Sequence, residues 1–338
     1  MLSSREKVKN IFDRKSNGEG AMWTGHLSGG AVKIFAEKWG LKENSEEIYS
    51  FLNDDCRWIN AEAAYNTPDG KPVFDPSQGK SFELSSKTGI FAEVESVSEI
   101  NKFKWPDPEH CDFSGIYAET EKHSDKMVFT GMWSSFFHIV ADYFGMENYF
   151  AKMYDNPAVV DAVTERIADF YVKANEIFYT DPRNKTDTMF FGNDFGTQLD
   201  LFISPECFRR FVLPSLKRII NVGKKHNKKI ILHSCGSIYR VIPDLIEAGV
   251  DVLHPIQAQA EGMDAKSLSK YKSELAFIGG IDAQSFFVRA TPGQIKDEVY
   301  RVRDILGPNI VISPSHEEIL PNIPAENILA MAEAAKNI

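Results

Sequence analysis

A histidine and a cysteine separated by one residue mark the end of a short apolar run. The run reads "KKIILHSCGS" over residues 228–237 and places His233 and Cys235 where serine and glycine begin. Since residues i and i+2 of an extended chain point to the same face, the imidazole and the thiol face one direction. Both groups are common zinc ligands. The pair therefore indicates a candidate metal site at a strand end, although a buried cysteine can also be a small packing residue.

The sequence around this run alternates short apolar segments with amphipathic ones. The predicted strands are "KMVFTGMW", "DTMFFGNDFG", "KKIILHSCG", "VDVLHPIQ", "LAFIGGID" and "NIVISPSH". Helix start signals lie between them at Asn156-Pro157, Ser204-Pro205 and Thr291-Pro292. This alternation is typical of βαβ units, so an α/β fold with a parallel sheet is expected. We favour a (β/α)8 TIM barrel over an open doubly wound sheet, because about 250 residues suffice for a barrel.

The rest of the chain fits one barrel domain over residues 1–338. An N-terminal helix is expected within residues 1–20, and a first strand near "GAMWTGHL". The segment "NTPDGKPVFDPSQGK" is rich in turn residues and predicts an insertion. The segment "NDDCRWI", with Asp54, Asp55 and Arg57, is interpreted as a solvated, salt-bridged turn. Cys56, Cys111 and Cys207 are expected to be structural.

Composition narrows the classes of function. The chain has 338 residues, 43% of them hydrophobic, and a net charge of −10. A nucleic-acid groove needs a surplus of Lys and Arg, so this class is excluded. The apolar runs are only strand-length and no targeting segment is seen, which predicts a cytoplasmic protein that does not enter a membrane. Four irregularly spaced cysteines do not form a disulfide framework.

Polar side chains follow nearly every predicted strand. Active sites of (β/α)8 barrels form at the C-terminal rim of the strands, so these side chains are expected to converge there. Trp133 and His138 are candidate ligand contacts. Gln257 is expected to bind substrate or support the site, and His254 to point to the opposite face if that stretch is regular. Asp194 could instead close an Asx turn. The rim candidates are Asp194, Gln198, His233, Cys235, His254, Gln257, Asp282, His316 and Glu317.

Several of these segments resemble a known family. "GNDFGTQLDLFISPECFRRFVLPSLKRI", "HSCGS", "GVDVLHPIQ", "FIGGIDAQ" and "SPSHEEILPNIPAENI" are similar to the uroporphyrinogen decarboxylase superfamily, from about residue 125 to the C-terminus. The resemblance implies a (β/α)8 barrel. It also implies one of two activities: metal-free decarboxylation of uroporphyrinogen, or zinc-dependent methyl transfer involving a methylated corrinoid and a thiol such as coenzyme M.

Departures from the family pattern help to choose between these activities. The decarboxylases carry an arginine-rich loop near the N-terminus, where this sequence reads "MWTGHLSGG" without arginine. A substrate with eight carboxylates would lack guanidinium partners there and would meet His26, so uroporphyrinogen is disfavoured. In the methyltransferase branch, zinc is held by an H-x-C pair and a later cysteine. Here the pair is His233 and Cys235, and His316 occupies the later position.

The resulting hypothesis is a zinc-dependent methyltransferase. Zinc on His233 and Cys235, with His316 as a candidate third ligand, would bind a substrate heteroatom, and a methyl group would pass to or from a corrinoid. His316 could instead cap its loop, hydrogen-bond the rim or contact the substrate. Asp194 and Asp282 are the candidate catalytic residues. No D-x-H-x-x-G corrinoid-binding segment is present, so the corrinoid is expected on a partner protein. A metal-independent decarboxylase and a non-catalytic binding barrel stay open as alternatives, as does assembly into a homodimer. The candidate substrate contacts are His26, Trp133, Gln198, Gln257 and Glu317.

Overall fold

The computed structural model describes residues 2–66, 73–74 and 88–336. The turn-rich insertion predicted over residues 66–80 falls almost entirely outside them. The strands are β1 (His26–Leu27), β2 (Cys56–Asn60), β3 (Met127–Gly131), β4 (Thr188–Gly192), β5 (Lys229–His233), β6 (Val252–Ile256), β7 (Ala276–Ile281), β8 (Ile310–Pro314) and β9 (Glu318–Ile319).

The helices lie between these strands. They are α1 (Ser4–Phe12), α2 (Gly29–Trp39), α3 (Ser45–Phe51), α4 (Val97–Lys102), α5 (Ser114–Lys122), α6 (Phe136–Phe144), α7 (Met146–Asp155), α8 (Pro157–Thr180), α9 (Pro205–Cys207), α10 (Leu213–Lys225), α11 (Ile242–Ala248), α12 (Ala265–Leu268), α13 (Phe286–Arg289), α14 (Pro292–Leu306) and α15 (Ala325–Lys336). A π-helical turn, Phe208–Val212, joins α9 to α10. In the described part of the chain, no helix is long and apolar enough to cross a membrane.

The strands close into a (β/α)8 barrel. β4 to β8 pair in parallel in sequence order, and β2 pairs in parallel with β3. Thr188 of β4 donates its hydroxyl to the Val128 carbonyl of β3 at 2.7 Å. The segment around Met22 occupies the first strand position of the barrel, between β8 and β2. Met22 forms a parallel bridge to Ile312 of β8, and the Met22 carbonyl accepts from the N–H of Asp55, next to β2. The predicted barrel and all six predicted strands are confirmed.

The strand sequences are continuously hydrophobic because each strand packs against two apolar layers, one inside the barrel and one between the strands and the helices. Alternate side chains fill the inside of the barrel, including Trp23, Phe129 and Phe190. The intervening side chains, such as Met189 and Phe191, pack against the surrounding helices. Both faces of a parallel strand are therefore buried, as is usual for this architecture. The helix start signals are also confirmed, since α8, α9 and α14 each begin at the proline that was identified.

The segment "NDDCRWI" is not a solvated turn, and that interpretation was wrong. Residues 56–60 form β2, and Asp54 and Asp55 are completely buried. Asp54 accepts hydrogen bonds from the backbone N–H of Thr24 at 2.7 Å and of Cys56 at 3.0 Å. These backbone partners compensate for the loss of water around the carboxylate, which is the condition for burying one.

Asp55 joins the N-terminal helix to the floor of the barrel. Its carboxylate accepts from the Lys7 ammonium at 2.7 Å, from the Ser4 hydroxyl at 2.6 Å and from the Met22 N–H at 3.1 Å. Lys7 and Ser4 lie on α1, which is shorter than the expected span of residues 1–20. The helix is thus fixed to the strands by a charged contact as well as by apolar packing.

Replacing Asp55 tests this contact. Asp55→Ala leaves the largely buried Lys7 without its anion, so we expect the free energy of unfolding to fall by about 3 kcal/mol. The matched control is Asp161→Ala, which removes an exposed partner of Arg210 and is expected to cost less than about 1 kcal/mol. Urea denaturation followed by tryptophan fluorescence measures both. Equal costs for the two variants would contradict a structural role for Asp55.

Candidate metal site at the mouth of the barrel

Two neighbouring strands bring the candidate ligands together. β4 and β5 pair in parallel, with Gly192 opposite His233. Asp194 follows β4 by two residues, and Cys235 follows β5 by two residues. The backbone N–H of Cys235 donates to Oδ1 of Asp194 at 2.7 Å. The two loops are therefore joined directly at the C-terminal rim, where barrel active sites form.

Asp194, His233 and Cys235 offer three metal-ligand atoms within 4.8 Å of one another. Sγ of Cys235 lies 3.6 Å from Nε2 of His233, and that nitrogen lies 3.2 Å from Oδ1 of Asp194. A tetrahedral zinc ion with bonds of about 2.0 to 2.3 Å separates its ligand atoms by about 3.4 to 3.6 Å. The donor types therefore suit zinc, and the two separations measured from Nε2 of His233 are close to those of a tetrahedral site.

The loop that carries Asp194 is held on both sides. The backbone N–H of Asp194 donates to Nε2 of His138 at 3.1 Å. The N–H of Phe195 donates to Oγ of Ser234, the residue between the paired ligands, at 3.1 Å. His138, a candidate ligand contact, thus orients the carboxylate-bearing loop.

The protonation of these donors depends strongly on their surroundings. Burial acts to raise the pKa of the Asp194 carboxyl, but the hydrogen bond and charge of His233 outweigh it and lower the pKa to about 2. Burial raises the pKa of the Cys235 thiol, and the nearby carboxylates of Asp194 and Glu317 raise it further. A bound divalent cation reverses this effect, because a coordinating thiol loses its proton.

Glu317 directs an unpaired oxygen toward the same group. Its Oε2 lies 3.8 Å from Nε2 of His233 and 3.7 Å from Nδ1 of His316. That oxygen is buried and has no hydrogen-bond partner among the described residues. A buried carboxylate oxygen without a donor is unusual, since buried polar atoms are normally paired. The position suits a fourth ligand, or an acceptor for a group bound at the mouth.

His254 supports the ring of His233 from inside the barrel. Nδ1 of each ring lies 3.0 Å from Nδ1 of the other, and His254 is buried. Burial and the neighbouring histidines lower the pKa of His254 well below its ordinary value. His254 was expected to face away from Gln257 if this stretch were regular. His254 pairs in register with His233, so the two rings lie on the same face. The register shifts between Leu253 and Ile256, so the stretch is not regular and the parity between His254 and Gln257 does not hold.

Trp133 forms an aromatic wall beside the donors. Its ring lies 5.2 Å from the His233 ring and 5.2 Å from that of Trp58, between centroids. The backbone of Trp133 donates a hydrogen bond to Glu62, a carboxylate that also accepts from the Tyr171 hydroxyl at 2.8 Å. Burial raises the pKa of Glu62. Sequence reasoning missed Glu62, which lies in a short helical turn after the unrecognised strand β2.

The predicted substrate contact Gln257 holds the ligand loop. Its Oε1 accepts from the Gly236 N–H at 2.8 Å and from the side-chain amide of Gln198 at 3.0 Å. Gly236 has a φ of 80°, and a side chain there would collide with the carbonyl of Gly196. The glycine after Cys235 is thus required for the loop to approach its neighbour closely. Substrate binding by Gln198 and Gln257 stays a prediction.

Asp282 is bonded mainly to its own loop. Its carboxylate accepts from the Gln284 N–H at 2.9 Å, the Ser285 hydroxyl at 2.7 Å and the Phe286 N–H at 3.0 Å. Burial acts to raise the pKa of Asp282, but these hydrogen bonds lower it overall. The contacts are those of a residue that shapes the start of α13. The catalytic role predicted for Asp282 stays a prediction.

The two remaining candidates lie on the side of the mouth formed by β1 and β9. Nδ1 of His316 accepts from the Glu318 N–H at 3.0 Å, and His316 lies outside the three-donor group. The structure brings Asp194 to the H-x-C pair instead, and His316 as a ligand stays a prediction. His26 is exposed on β1 and pairs with Glu318 of β9. Its contact with substrate also stays a prediction.

The fold and the site define a (β/α)8 barrel with a metal-donor group at its C-terminal mouth. Residues 81–338 match the family model described as uroporphyrinogen decarboxylase (URO-D). The chain therefore belongs to the uroporphyrinogen decarboxylase family.

Two relatives extend this result. The curated methylcobamide:CoM methyltransferase MtbA of Methanosarcina acetivorans is 23% identical over 219 residues, which span 64% of this chain and 60% of the relative. A solved structure of a methyltransferase from Methanosarcina mazei superposes with a TM-score of 0.66 at 15% identity, covering 99% of this chain and 98% of that one. The second likeness supports the barrel fold.

Cys235→Ser separates metal binding from folding. The serine hydroxyl is a poor zinc ligand at neutral pH, so zinc content should fall from about one ion per chain to near zero. The melting temperature of the metal-free protein should stay close to that of wild type, because the thiol stands at the rim. Cys207→Ser, on α9 and outside the donor group, is the control and should retain zinc. A destabilised Cys235→Ser protein with unchanged zinc would contradict the metal site.

Proposed function

We propose that this protein is a zinc-dependent methyltransferase that moves a methyl group between a small substrate or thiol and a corrinoid carried on a partner protein. The observation that carries the proposal is the group of Asp194, His233 and Cys235 at the barrel mouth. Its donor types and spacing suit zinc, and three protein donors leave a coordination position for a substrate atom.

The comparisons support this direction. The curated relative is named for a methylcobamide and CoM, which are the methyl carrier and the methyl acceptor proposed here. The alignment spans 60% of that relative. The activity of the relative is therefore part of the proposal for this chain. Both the family and the relative agree with a catalytic barrel whose chemistry takes place at the C-terminal rim.

Zinc would be held by Nε2 of His233, Sγ of Cys235 and Oδ1 of Asp194. When bound, it would act as a Lewis acid on a substrate heteroatom or lower the pKa of a substrate thiol. The low pKa of Asp194 keeps its carboxylate anionic at neutral pH, ready to meet a cation. The N–H of Cys235 holds that carboxylate in place through a backbone hydrogen bond.

Other side chains of the mouth would orient the substrate. Oε2 of Glu317 has no partner among the described residues, so it is placed to accept a hydrogen bond from an incoming thiol or amine. The ring of Trp133 covers one side of His233 and restricts the approach of water. Gln257 keeps the ligand loop in position through Gly236.

The corrinoid would arrive on another protein. The sequence contains no D-x-H-x-x-G segment to hold it. Leu199 in the loop after β4 is 80% exposed, and Leu320 after β9 is 47% exposed. Exposed apolar side chains on rim loops suit a transient protein contact.

The charge of the site disfavours a polycarboxylate substrate. Asp194 and Glu317 place carboxylates at the donor group. Like charges would repel the acidic side chains of a porphyrinogen, which demands guanidinium partners. This argues against uroporphyrinogen as the substrate, and a decarboxylase acting on a smaller acid stays open as the alternative.

A direct assay tests the proposal. Zinc-loaded protein is mixed with methylcobalamin and 2-mercaptoethanesulfonate, which stands in for the thiol acceptor. The cobalt–carbon bond breaks with its electron pair left on cobalt, a sulfur–carbon bond forms, and the thiol proton is released. Absorbance reports loss of methylcobalamin, and mass spectrometry reports the thioether. We expect turnover in the zinc-loaded protein and none after chelation.

The controls distinguish the alternatives. Cys207→Ser should turn over like wild type, and Cys235→Ser should be inactive. Substrates should include other methyl donors, with cob(I)alamin, kept reduced by a chemical reductant such as titanium(III) citrate, as acceptor, and a panel of carboxylic acids. Release of carbon dioxide without dependence on zinc would show a decarboxylase. Failure of every methyl donor and acceptor in fully zinc-loaded protein would overturn the proposal.

Asp194→Asn tests the charge of the third donor. The amide oxygen can still accept the Cys235 N–H, so the loop should keep its position and thermal stability should change by less than about 1 kcal/mol. Loss of the anionic ligand should weaken zinc binding by more than about tenfold. Competition with a chromophoric chelator gives the affinity. Unchanged zinc affinity in this variant would remove Asp194 from the ligand set.

A further inference from the structure

A second histidine stands directly behind the candidate ligand His233. His254 lies on β6, is 1% exposed, and places its Nδ1 3.0 Å from Nδ1 of His233. Its ring is enclosed by the rings of Trp23 at 5.0 Å and Phe190 at 5.4 Å, between centroids. Packing on these sides leaves little freedom for His254 to rotate away. The contact between the two rings is therefore a fixed feature of the barrel interior.

The short distance between two ring nitrogens restricts their protons. Two N–H groups cannot face each other at 3.0 Å, and two bare nitrogens would repel, so one Nδ1 donates and the other accepts. In one arrangement, His233 keeps its proton on Nδ1 and presents a bare Nε2. In the other, His254 donates, and Nε2–H of His233 donates to Oδ1 of Asp194, which lies 3.2 Å away.

We propose that His254 is a positioning residue for metal binding: its Nδ1 accepts the Nδ1–H of His233 and so fixes the tautomer whose Nε2 lone pair faces Asp194 and Cys235. The inference rests on the metal site of the proposed function. Ligand histidines generally donate their other ring N–H to a supporting group, which orients the ring and strengthens its basicity. That supporting group is ordinarily a carboxylate or a carbonyl oxygen.

Because His254 is itself an imidazole, its tautomer and that of His233 depend on each other through their shared hydrogen bond. When Nδ1 of His254 accepts, its own proton resides on Nε2, which is buried and has no hydrogen-bond partner among the described residues. This unpaired N–H costs free energy that zinc binding at His233 must offset. When Nδ1 of His254 donates, Nε2 is bare and His233 carries its proton on Nε2, against Asp194. Metal binding at Nε2 of His233 is compatible with the first arrangement alone. Loading the site therefore selects one tautomer in both rings, with no change in their total number of protons.

Asparagine and leucine form a matched pair for the test. Oδ1 of an asparagine stands as many bonds from the backbone as Nδ1 of a histidine, so His254→Asn retains an acceptor for His233. His254→Leu has the same branching without the acceptor. Both variants remove the same part of the ring and keep the same number of heavy atoms. The melting temperatures report the cost of burying the asparagine amide, and the difference in zinc affinity reports the hydrogen bond.

Zinc affinity is measured by competition with a chromophoric chelator, with the melting temperature of each metal-free variant as a folding control. We expect His254→Asn to bind zinc within about threefold of its wild-type affinity, and His254→Leu to bind about 10 to 100 times more weakly. Equal weakening of both variants would assign His254 to packing and overturn the inference. So would a His254→Leu protein that binds zinc as tightly as wild type.

Nitrogen-15 NMR of the histidine rings tests the wild-type protein without any substitution. Ring nitrogen shifts distinguish a protonated Nδ1 from a protonated Nε2. In zinc-loaded protein we expect a proton on Nδ1 of His233 and on Nε2 of His254. The reverse assignment for His254 in loaded protein would overturn the inference while leaving the metal site intact. Wild-type protein that binds no zinc would instead overturn the metal site of the proposed function.

Discussion

The 2.7 Å hydrogen bond from the Cys235 N–H to Asp194 is the contact on which the candidate site depends. Parallel pairing brings the ends of β4 and β5 together, but it does not determine where the loops beyond them go. This bond joins the two loops and places a carboxylate beside the H-x-C pair. Gly236 permits the close approach, and its backbone N–H donates to the side chain of Gln257, the residue after β6. The site is therefore built by three consecutive strands and not by one motif.

The same arrangement brings two carboxylates and a thiol together at the partly buried mouth of the barrel. Asp194 is anionic, and Oε2 of Glu317 has no hydrogen-bond partner among the described residues. Burial, together with the nearby carboxylates, raises the pKa of the Cys235 thiol and keeps it protonated. Desolvated polar atoms without donors cost free energy unless something compensates for the lost water. A divalent cation would give the Glu317 oxygen a positive partner, neutralise the Asp194 carboxylate and release the thiol proton. The whole donor group is therefore stronger support for a metal site than the H-x-C pair alone.

The sequence was sufficient for the barrel, because strand-length apolar runs with polar ends recur between well-marked helices. The sequence was not sufficient to predict β2, because two adjacent aspartates are typical of a solvated turn. In the fold they are buried, and backbone N–H groups of another segment donate to their carboxylates. The pairing of His233 with Cys235 followed from strand periodicity. The relation between His254 and Gln257 did not, because the register shift between Leu253 and Ile256 leaves no mark in the residue types. Asp194 was identified as a site residue, but its proximity to the pair depends on the loop contact.

The composition of the donor set has a chemical consequence. A thiolate donates more electron density to zinc than a carboxylate or an imidazole, and this chain offers one thiol at the site, from Cys235, with Asp194 beside it. Fewer thiolates leave the ion more electrophilic, so it would lower the pKa of a bound thiol further while making the resulting thiolate a weaker nucleophile. The same electrophilicity would favour Lewis-acid activation of a methyl-bearing oxygen or nitrogen. In the arrangement proposed above, His254 is a neutral acceptor, so it strengthens the basicity of His233 less than a carboxylate in the same place would. A site of this composition is therefore suited to removing a methyl group from a donor as well as to delivering one to a thiol.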